Sequence, residues 1–176
     1  IDGFLGATAL RELRAEIQSL HTNGVMKSGV LAGGTTGKNL SYVHEKVRGD
    51  LVHWMNPTDH GFKQMPQYMK KVDTFVSELG QWPEHLANIK NRSKAMVTVY
   101  PGGGAHYVKH CDNHCHSGEG DNCNGRRLTT LLYLNPDWKD GDGGELLLCR
   151  GPMHSLLFHA SVAQRSISIG ASGALR

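Results

Sequence analysis

The sequence has no apolar run approaching the roughly 20 residues that cross a bilayer, and no basic, then apolar leader at its opening Ile1-Asp2-Gly3-Phe4-Leu5. Cysteine is scarce: Cys111, Cys115, Cys123 and Cys149 are too few to staple a chain of 176 residues. These absences lead to an expectation of a reducing compartment, cytosol or nucleus, with no membrane partner. Excess charge of one sign is also missing. The formal net charge is +3, and the basic residues are scattered rather than gathered into a stripe, so nucleic acid is not an expected partner. No Gly-x-Ser-x-Gly occurs, which removes the usual serine-hydrolase signature. The glycines after Tyr100 lead into neither a helix nor a Lys-Ser/Thr pair, so they are not a nucleotide loop.

Glycine and histidine, by contrast, are abundant, at 22 and 11 residues. The glycines predict many turns and a β-rich architecture. The histidines favour a metal site. Leu10, Leu13, Ile17 and Leu20 recur at helical spacing, predicting a helix over residues 1–23 with Thr8 as N-cap and Asn23-Gly24 as its end. Residues 25–46 are rich in Gly, Thr and Ser and read as a long mobile loop. A strand is expected over Val47–Met55, then a helix over Met65–Leu79 with Met65, Met69, Val72, Phe75, Val76 and Leu79 on one face. Further strands are expected over Ala95–Tyr100, His106–His110, Leu128–Leu134 and Glu145–Cys149, with Ser155–His159 and Ser166–Ile169 as candidates beyond. The final Gly170–Arg176 offers little to bury. Two helices followed by short strands predict an α+β, mainly β chain, with helices packed on a sandwich or double-sheet roll.

The sharpest chemical feature is His110-Cys111-Asp112. Side chains two apart on an extended backbone share a face. That places an imidazole and a carboxylate together, two of the three ligands of a 2-His-1-carboxylate site for iron(II). Taken alone the pair is equally a surface pair beside a loop. A second cluster, His114, Cys115, His116 and Cys123, has zinc-ligand residue types without a standard ligand spacing, so a solvated loop and a zinc-stabilised interaction module both stay open.

The residues around His110 form an ordered series of motifs: Met96-Val97-Thr98-Val99-Tyr100-Pro101-Gly102, Tyr107-Val108-Lys109-His110-Cys111-Asp112-Asn113, Leu132-Tyr133-Leu134-Asn135, Asp137-Trp138 and Gly143-Gly144-Glu145-Leu146. Upstream stand Asp2-Gly3-Phe4-Leu5-Gly6, Val47-Arg48-Gly49-Asp50 with Trp54, and Asn91-Arg92-Ser93-Lys94-Ala95-Met96. In this order they resemble the hypoxia-inducible-factor prolyl hydroxylases, enzymes that depend on iron(II) and 2-oxoglutarate. The resemblance covers residues 1–149, with helical support over 1–90 and a β core over 91–149; residues 150–176 form an atypical C-terminal segment. It implies a distorted double-stranded β-helix (jelly-roll) core carried on N-terminal helices and left short at its C-terminal end.

The activity implied is peptidyl-proline 4-hydroxylation in oxygen sensing, on a proline-containing segment of a hypoxia-inducible transcription factor. Iron(II), 2-oxoglutarate, O2 and L-ascorbate are the implied cofactors and co-substrates, and a monomer the implied state. Carried over position by position, His110 and Asp112 are the first two metal ligands. Tyr100, Tyr107, Leu131, Tyr133 and Leu146 line the 2-oxoglutarate pocket, Tyr133 through its phenol. Residues 25–46 stand where the family has a loop that closes over the substrate. Tyr100 and Tyr133 also read as core tyrosines with satisfied hydroxyls.

The family ends its domain with a distal His ligand and then an Arg that pairs with the far carboxylate of 2-oxoglutarate. His159, with His154 as its rival, and Arg165 are the candidates here, and neither His–Arg spacing is the family's. The alternative function is therefore a catalytically impaired, truncated member of the same fold that binds a partner without turnover.

Overall fold

The computed structural model describes residues 3–32, 41–79, 89, 91–110, 112, 126–150, 156–160 and 166–174. Two helices, α1 (Ala7–Thr22) and α2 (Gln64–Leu79), accompany ten strands. The strands are β1 (Lys27–Ser28), β2 (Leu31–Ala32), β3 (Ser41–Tyr42), β4 (Leu51–Met55), β5 (Asn91–Arg92), β6 (Ala95–Tyr100), β7 (Arg126–Tyr133), β8 (Leu146–Arg150), β9 (Leu156–Ala160) and β10 (Ser166–Ala174). The class is thus mixed α and β. Among the described residues, no helix is long and apolar enough to cross a membrane.

Helix α1 starts where its sequence stops resisting helix. Gly6, extended at φ −63° and ψ 151°, is the N-cap, and no side chain caps the end. Thr8, the expected cap, sits inside the first turn instead. Leu13, Ile17 and Leu20 are the buried stripe. On α2 the buried residues are Gln64, Met65, Tyr68, Met69 and Val72. Burial pushes the Tyr68 phenol up to about 12, so it is neutral in the core. The start of α2 is closed by a residue from the other helix. The Glu16 carboxylate accepts from the backbone N–H groups of Lys63 (2.8 Å), Gln64 (2.7 Å) and Met65 (3.0 Å), donors that have no partner within the helix itself. Glu16→Ala is expected to cost about 1–2 kcal/mol, read as a lower urea midpoint; an unchanged midpoint would show that water caps α2 equally well.

The main sheet is antiparallel throughout. Its order is β1-β4-β6-β10-β5, with β7 pairing on the other side of β10. Leu51, Val52 and His53 stand opposite Val99, Thr98 and Val97. On β6 the alternation is clean: Ala95, Val97 and Val99 join Met55, α1 and α2 in one apolar cluster. Burial of Val97, Val99 and Met55 contributes about 1.5–3 kcal/mol each. The helices therefore cover one face of the sheet, and Met96, Thr98 and Tyr100 occupy the other. Two small sheets, β2–β3 and β8–β9, complete the described strands.

Several expectations need correction. The strand expected from Val47 begins only at Leu51, because Gly49 departs from the ladder and Arg48 makes an isolated bridge to Tyr107. The strand expected over His106–His110 reduces to bridge positions, since three successive left-handed glycines, Gly102 (φ 92°), Gly103 (φ 65°) and Gly104 (φ 84°), turn the chain back before a ladder can form. The largest correction concerns the C-terminal segment. Gly170–Ala174, expected to contribute little, continue β10 through the main sheet, paired along β7 on one side and reaching Met96 of β6 and then β5 on the other. Small side chains contribute little apolar area, but a central strand is held by backbone hydrogen bonds on both edges, which composition does not report.

Candidate metal centre

The glycine turn after β6 returns the chain across the open face of the sheet. Ala105 N–H donates to Gly102 O at 3.2 Å, and His106 Nδ1 lies 2.8 Å from Gly104 O. The returning segment is then tied to residues 47–49. Gly49 N–H donates to His106 O and Val108 N–H to Val47 O, both at 2.9 Å. This backbone clip delivers His110 and Asp112.

The His110 ring is oriented by a 2.8 Å contact between Nδ1 and Val108 O. A carbonyl can only accept, so Nδ1 donates to it and Nε2 is the ring nitrogen turned toward Asp112. That Nε2 faces Asp112 Oδ1 at 3.4 Å. The second carboxylate oxygen, Oδ2, accepts from Thr129 Oγ1 on β7 at 2.7 Å, and Arg126 Nη1 stands 3.5 Å from Oδ1. Hydrogen bonding from His110 leads the effects that hold the Asp112 carboxyl below its ordinary range, with Thr129 and the Arg126 charge assisting against burial. Asp112 is thus a carboxylate at neutral pH.

This donor pair suits a divalent metal. Two neighbouring ligands on an octahedral ion with bonds near 2.1 Å sit roughly 3 Å apart. The observed 3.4 Å separation closes to that value with a small side-chain adjustment. Among the described residues no third His, Cys, Asp or Glu joins the pair.

The sheet arranges the tyrosines around it. Ser168 of β10 stands opposite both Thr98 and Tyr133, and Gly170 opposite both Met96 and Leu131. Directly paired residues share a face, so Thr98, Tyr100, Leu131, Tyr133 and Thr129 all lie on the face away from the helices. Leu131 and Tyr133 are 40% and 41% exposed there, large side chains left open rather than packed away. Tyr100 is buried, and its phenol feels the charges of Asp50 and Arg48 and the neighbouring Tyr133 and Tyr107. Burial raises the ionisation of Tyr100, Tyr107 and Tyr133 above that of a free phenol, so each is a protonated hydrogen-bond donor. Leu146 opens β8 opposite Ala160, half-buried.

The remaining expected residues fall differently. His159 is placed on β9 opposite Leu147. His154 and Arg165 lie outside the described residues, though Ser166, next after Arg165, pairs with Tyr100. The Cys111, His114, Cys115, His116 and Cys123 cluster and residues 33–40 of the expected mobile loop also lie outside them; the loop's flanks pair as β2 and β3.

Two features were not anticipated from sequence. Thr129 is legible in hindsight, since it lies two and four residues before Leu131 and Tyr133 and so shares their face. Arg48 and Asp50 form a buried ion pair behind Tyr107, with Nε–Oδ1 at 2.6 Å and Nη2–Oδ2 at 2.9 Å. A cavity of 640 Å³ lies elsewhere, between α2 and the β5 and β7 ends, lined by residues such as Asp73, Arg92, Lys94 and Leu128. It contains neither His110 nor Asp112 and is separate from this centre.

Comparison with known proteins follows the geometry. A family profile for the 2OG-Fe(II) oxygenase superfamily matches residues 95–169, from β6 into β10. Prolyl hydroxylase EGLN3 of Rattus norvegicus is 33% identical over 142 residues, covering 78% of this chain and 53% of that protein. The hypoxia-inducible factor prolyl hydroxylase of Caenorhabditis elegans is 31% identical over 153 residues, 84% of this chain and 20% of that protein. The chain thus spans about half the length of the EGLN3 relative. Among solved structures, a Trichoplax adhaerens prolyl hydroxylase in complex with a hypoxia-inducible-factor oxygen degradation domain peptide superposes with a TM-score of 0.79. It is 26% identical, and the match covers 99% of this chain and 81% of that one.

Proposed function

From the premise that this chain belongs to the 2OG-Fe(II) oxygenase superfamily, as a relative of the hypoxia-inducible-factor prolyl hydroxylases, we propose that it is a peptidyl-proline 4-hydroxylase of oxygen sensing. The observation that carries this reading is the His110 Nε2–Asp112 Oδ1 pair, each partner fixed from behind by Val108 O and Thr129. The proposed architecture is a distorted jelly roll, with the main sheet as one wall and β8–β9 contributing to the other. The proposed substrate is a proline-containing segment of a hypoxia-inducible transcription factor, the kind of peptide held by the Trichoplax neighbour.

His110 would hold iron(II) through Nε2 and Asp112 through Oδ1, with His159 or His154 as the third protein ligand. Iron(II) with 2-oxoglutarate and O2, kept reduced by L-ascorbate, supplies the oxidation of a prolyl C–H to C–OH coupled to decarboxylation of 2-oxoglutarate to succinate and CO2. The chain's own residues do the rest by binding and orientation. Thr129 donates to Asp112 Oδ2, so Oδ1 would be the oxygen offered to the metal. The protonated phenols of Tyr100 and Tyr133 can donate to a carboxylate at neutral pH, which an ionised phenol could not. Arg165 would add the pairing charge at the edge of β10. Leu131, exposed on the same face, supplies apolar wall and limits water.

The test is an anaerobic titration of the folded chain with iron(II) and 2-oxoglutarate, following the weak visible charge-transfer band of the chelated complex. The band is expected in the parent protein and absent in His110→Ala. Folded protein that gives no band would instead place the chain as a binding module of the same fold.

A further inference from the structure

The His110 ring is held by more than its hydrogen bond. A single hydrogen bond to Val108 O tolerates a range of ring tilts about the Cβ–Cγ bond. A metal bound at Nε2 would lie in the ring plane, so such a tilt turns the binding direction away from Asp112. The second restraint is Tyr107, whose ring stacks on His110 with centroids 3.8 Å apart and planes inclined by only 20°.

Tyr107 is in turn held by Arg48. The guanidinium carbon lies 4.8 Å from the Tyr107 ring centroid, within cation–π range. Arg48 has little freedom of its own. Besides its two bonds to Asp50, Nη2 meets Met96 Sδ at 3.3 Å and Nη1 donates to Val30 O at 3.4 Å. Gly29 is a glycine of necessity here: a Cβ at that position would overlap Arg48 Nε and stand 2.5 Å from Asp50 Oδ1. The backbones are zipped as well, Arg48 bridging Tyr107 and Val47 O accepting from Val108 N–H.

We propose that Tyr107 and Arg48 are positioning residues for the metal ligand His110, Tyr107 fixing the tilt of the imidazole by stacking and Arg48 fixing Tyr107. This inference rests on the iron-site reading above. It assigns the Tyr107 ring a task distinct from lining the pocket. Arg48 does not touch the metal position; it acts through Tyr107 alone.

The experiment measures manganese(II) affinity by electron paramagnetic resonance of the free ion, without 2-oxoglutarate, so that pocket lining plays no part. Tyr107→Phe, which keeps the ring, is expected to bind within about twofold of the parent. Tyr107→Leu is expected to bind roughly tenfold or more weakly, the usual scale for loss of a group that orients a metal ligand. Thermal melting establishes that each variant is folded. The double variant Arg48→Met/Asp50→Leu, which leaves no lone buried charge, carries the test independently and is also expected to lose roughly tenfold. Parent-like affinity in Tyr107→Leu or in the double variant overturns the inference, as does an equal loss in Tyr107→Phe. Those results leave the iron site standing. Parent affinity that survives His110→Ala overturns the iron-site reading, and this inference with it.

Discussion

A chain ended at Ala160 is expected to lose cooperative folding altogether. The deletion removes β10, whose Ser166–Gly170 stand opposite Tyr100–Met96 and whose Ser168–Gly173 stand opposite Tyr133–Leu128. Without it, β6 and β7 each lose the neighbour that joins them, and two rows of buried backbone donors and acceptors lose their partners. Each buried group left unpaired costs about 1–3 kcal/mol, against a total stability on the order of 5–15 kcal/mol for a domain. Few such groups exhaust the margin. The expected result is insoluble protein, or soluble protein with no sigmoidal melt. A truncated chain melting within a few degrees of the parent would show that the sheet closes without this strand.

The second large effect is expected at Arg48→Ala. Asp50 is 2% exposed and gives both carboxylate oxygens to Arg48. Burial works against the Arg48 charge, but the hydrogen bond and charge of Asp50 outweigh it and raise the guanidinium above its ordinary value. Removing the cation leaves a carboxylate with neither water nor counter-ion, a change that typically costs about 3–5 kcal/mol. For a chain of this size the melting temperature is expected to fall by roughly 10 °C. Arg48→Met/Asp50→Leu is expected to recover most of that loss, because no lone charge remains. If the single and double variants melt alike, the pair matters for shape rather than charge.

Much of this architecture was legible from residue order. The alternation of Ala95, Val97 and Val99 with Met96, Thr98 and Tyr100 marks a strand with two different faces, and β6 occupies those residues. Leu13, Ile17 and Leu20 mark the buried stripe of α1. His110 and Asp112 do stand together, as their spacing suggested, although the strand expected through His106–His110 is not formed; the chain turns at the glycines before them. The start of α1 was misplaced because Thr8 is a stronger cap by residue type than Gly6, yet Gly6 holds the extended backbone that precedes the first turn. Long-range partners were the least legible. Glu16 gives no local sign that it closes a helix beginning at Gln64, nor Thr129 that it holds Asp112. Such contacts are decided by how distant segments approach, which no short window of sequence contains. Gly170–Ala174 illustrate the same limit, since residues with little to bury are placed by ladders on both sides.

The order of strands in the main sheet also sets a timetable. Val99 pairs with Ile167, and Leu132 with Ile169, so among the described residues the strands that carry Tyr100 and Tyr133 are joined through a strand made after both. During synthesis α1, α2, β4 and β6 can assemble as they leave the ribosome, but β7 has nothing to register against until residue 174 has emerged. Pairings of such sequence separation are slow and leave strand edges open meanwhile. The nascent chain is therefore expected to carry the facing edges of β6 and β7 unpaired through that interval.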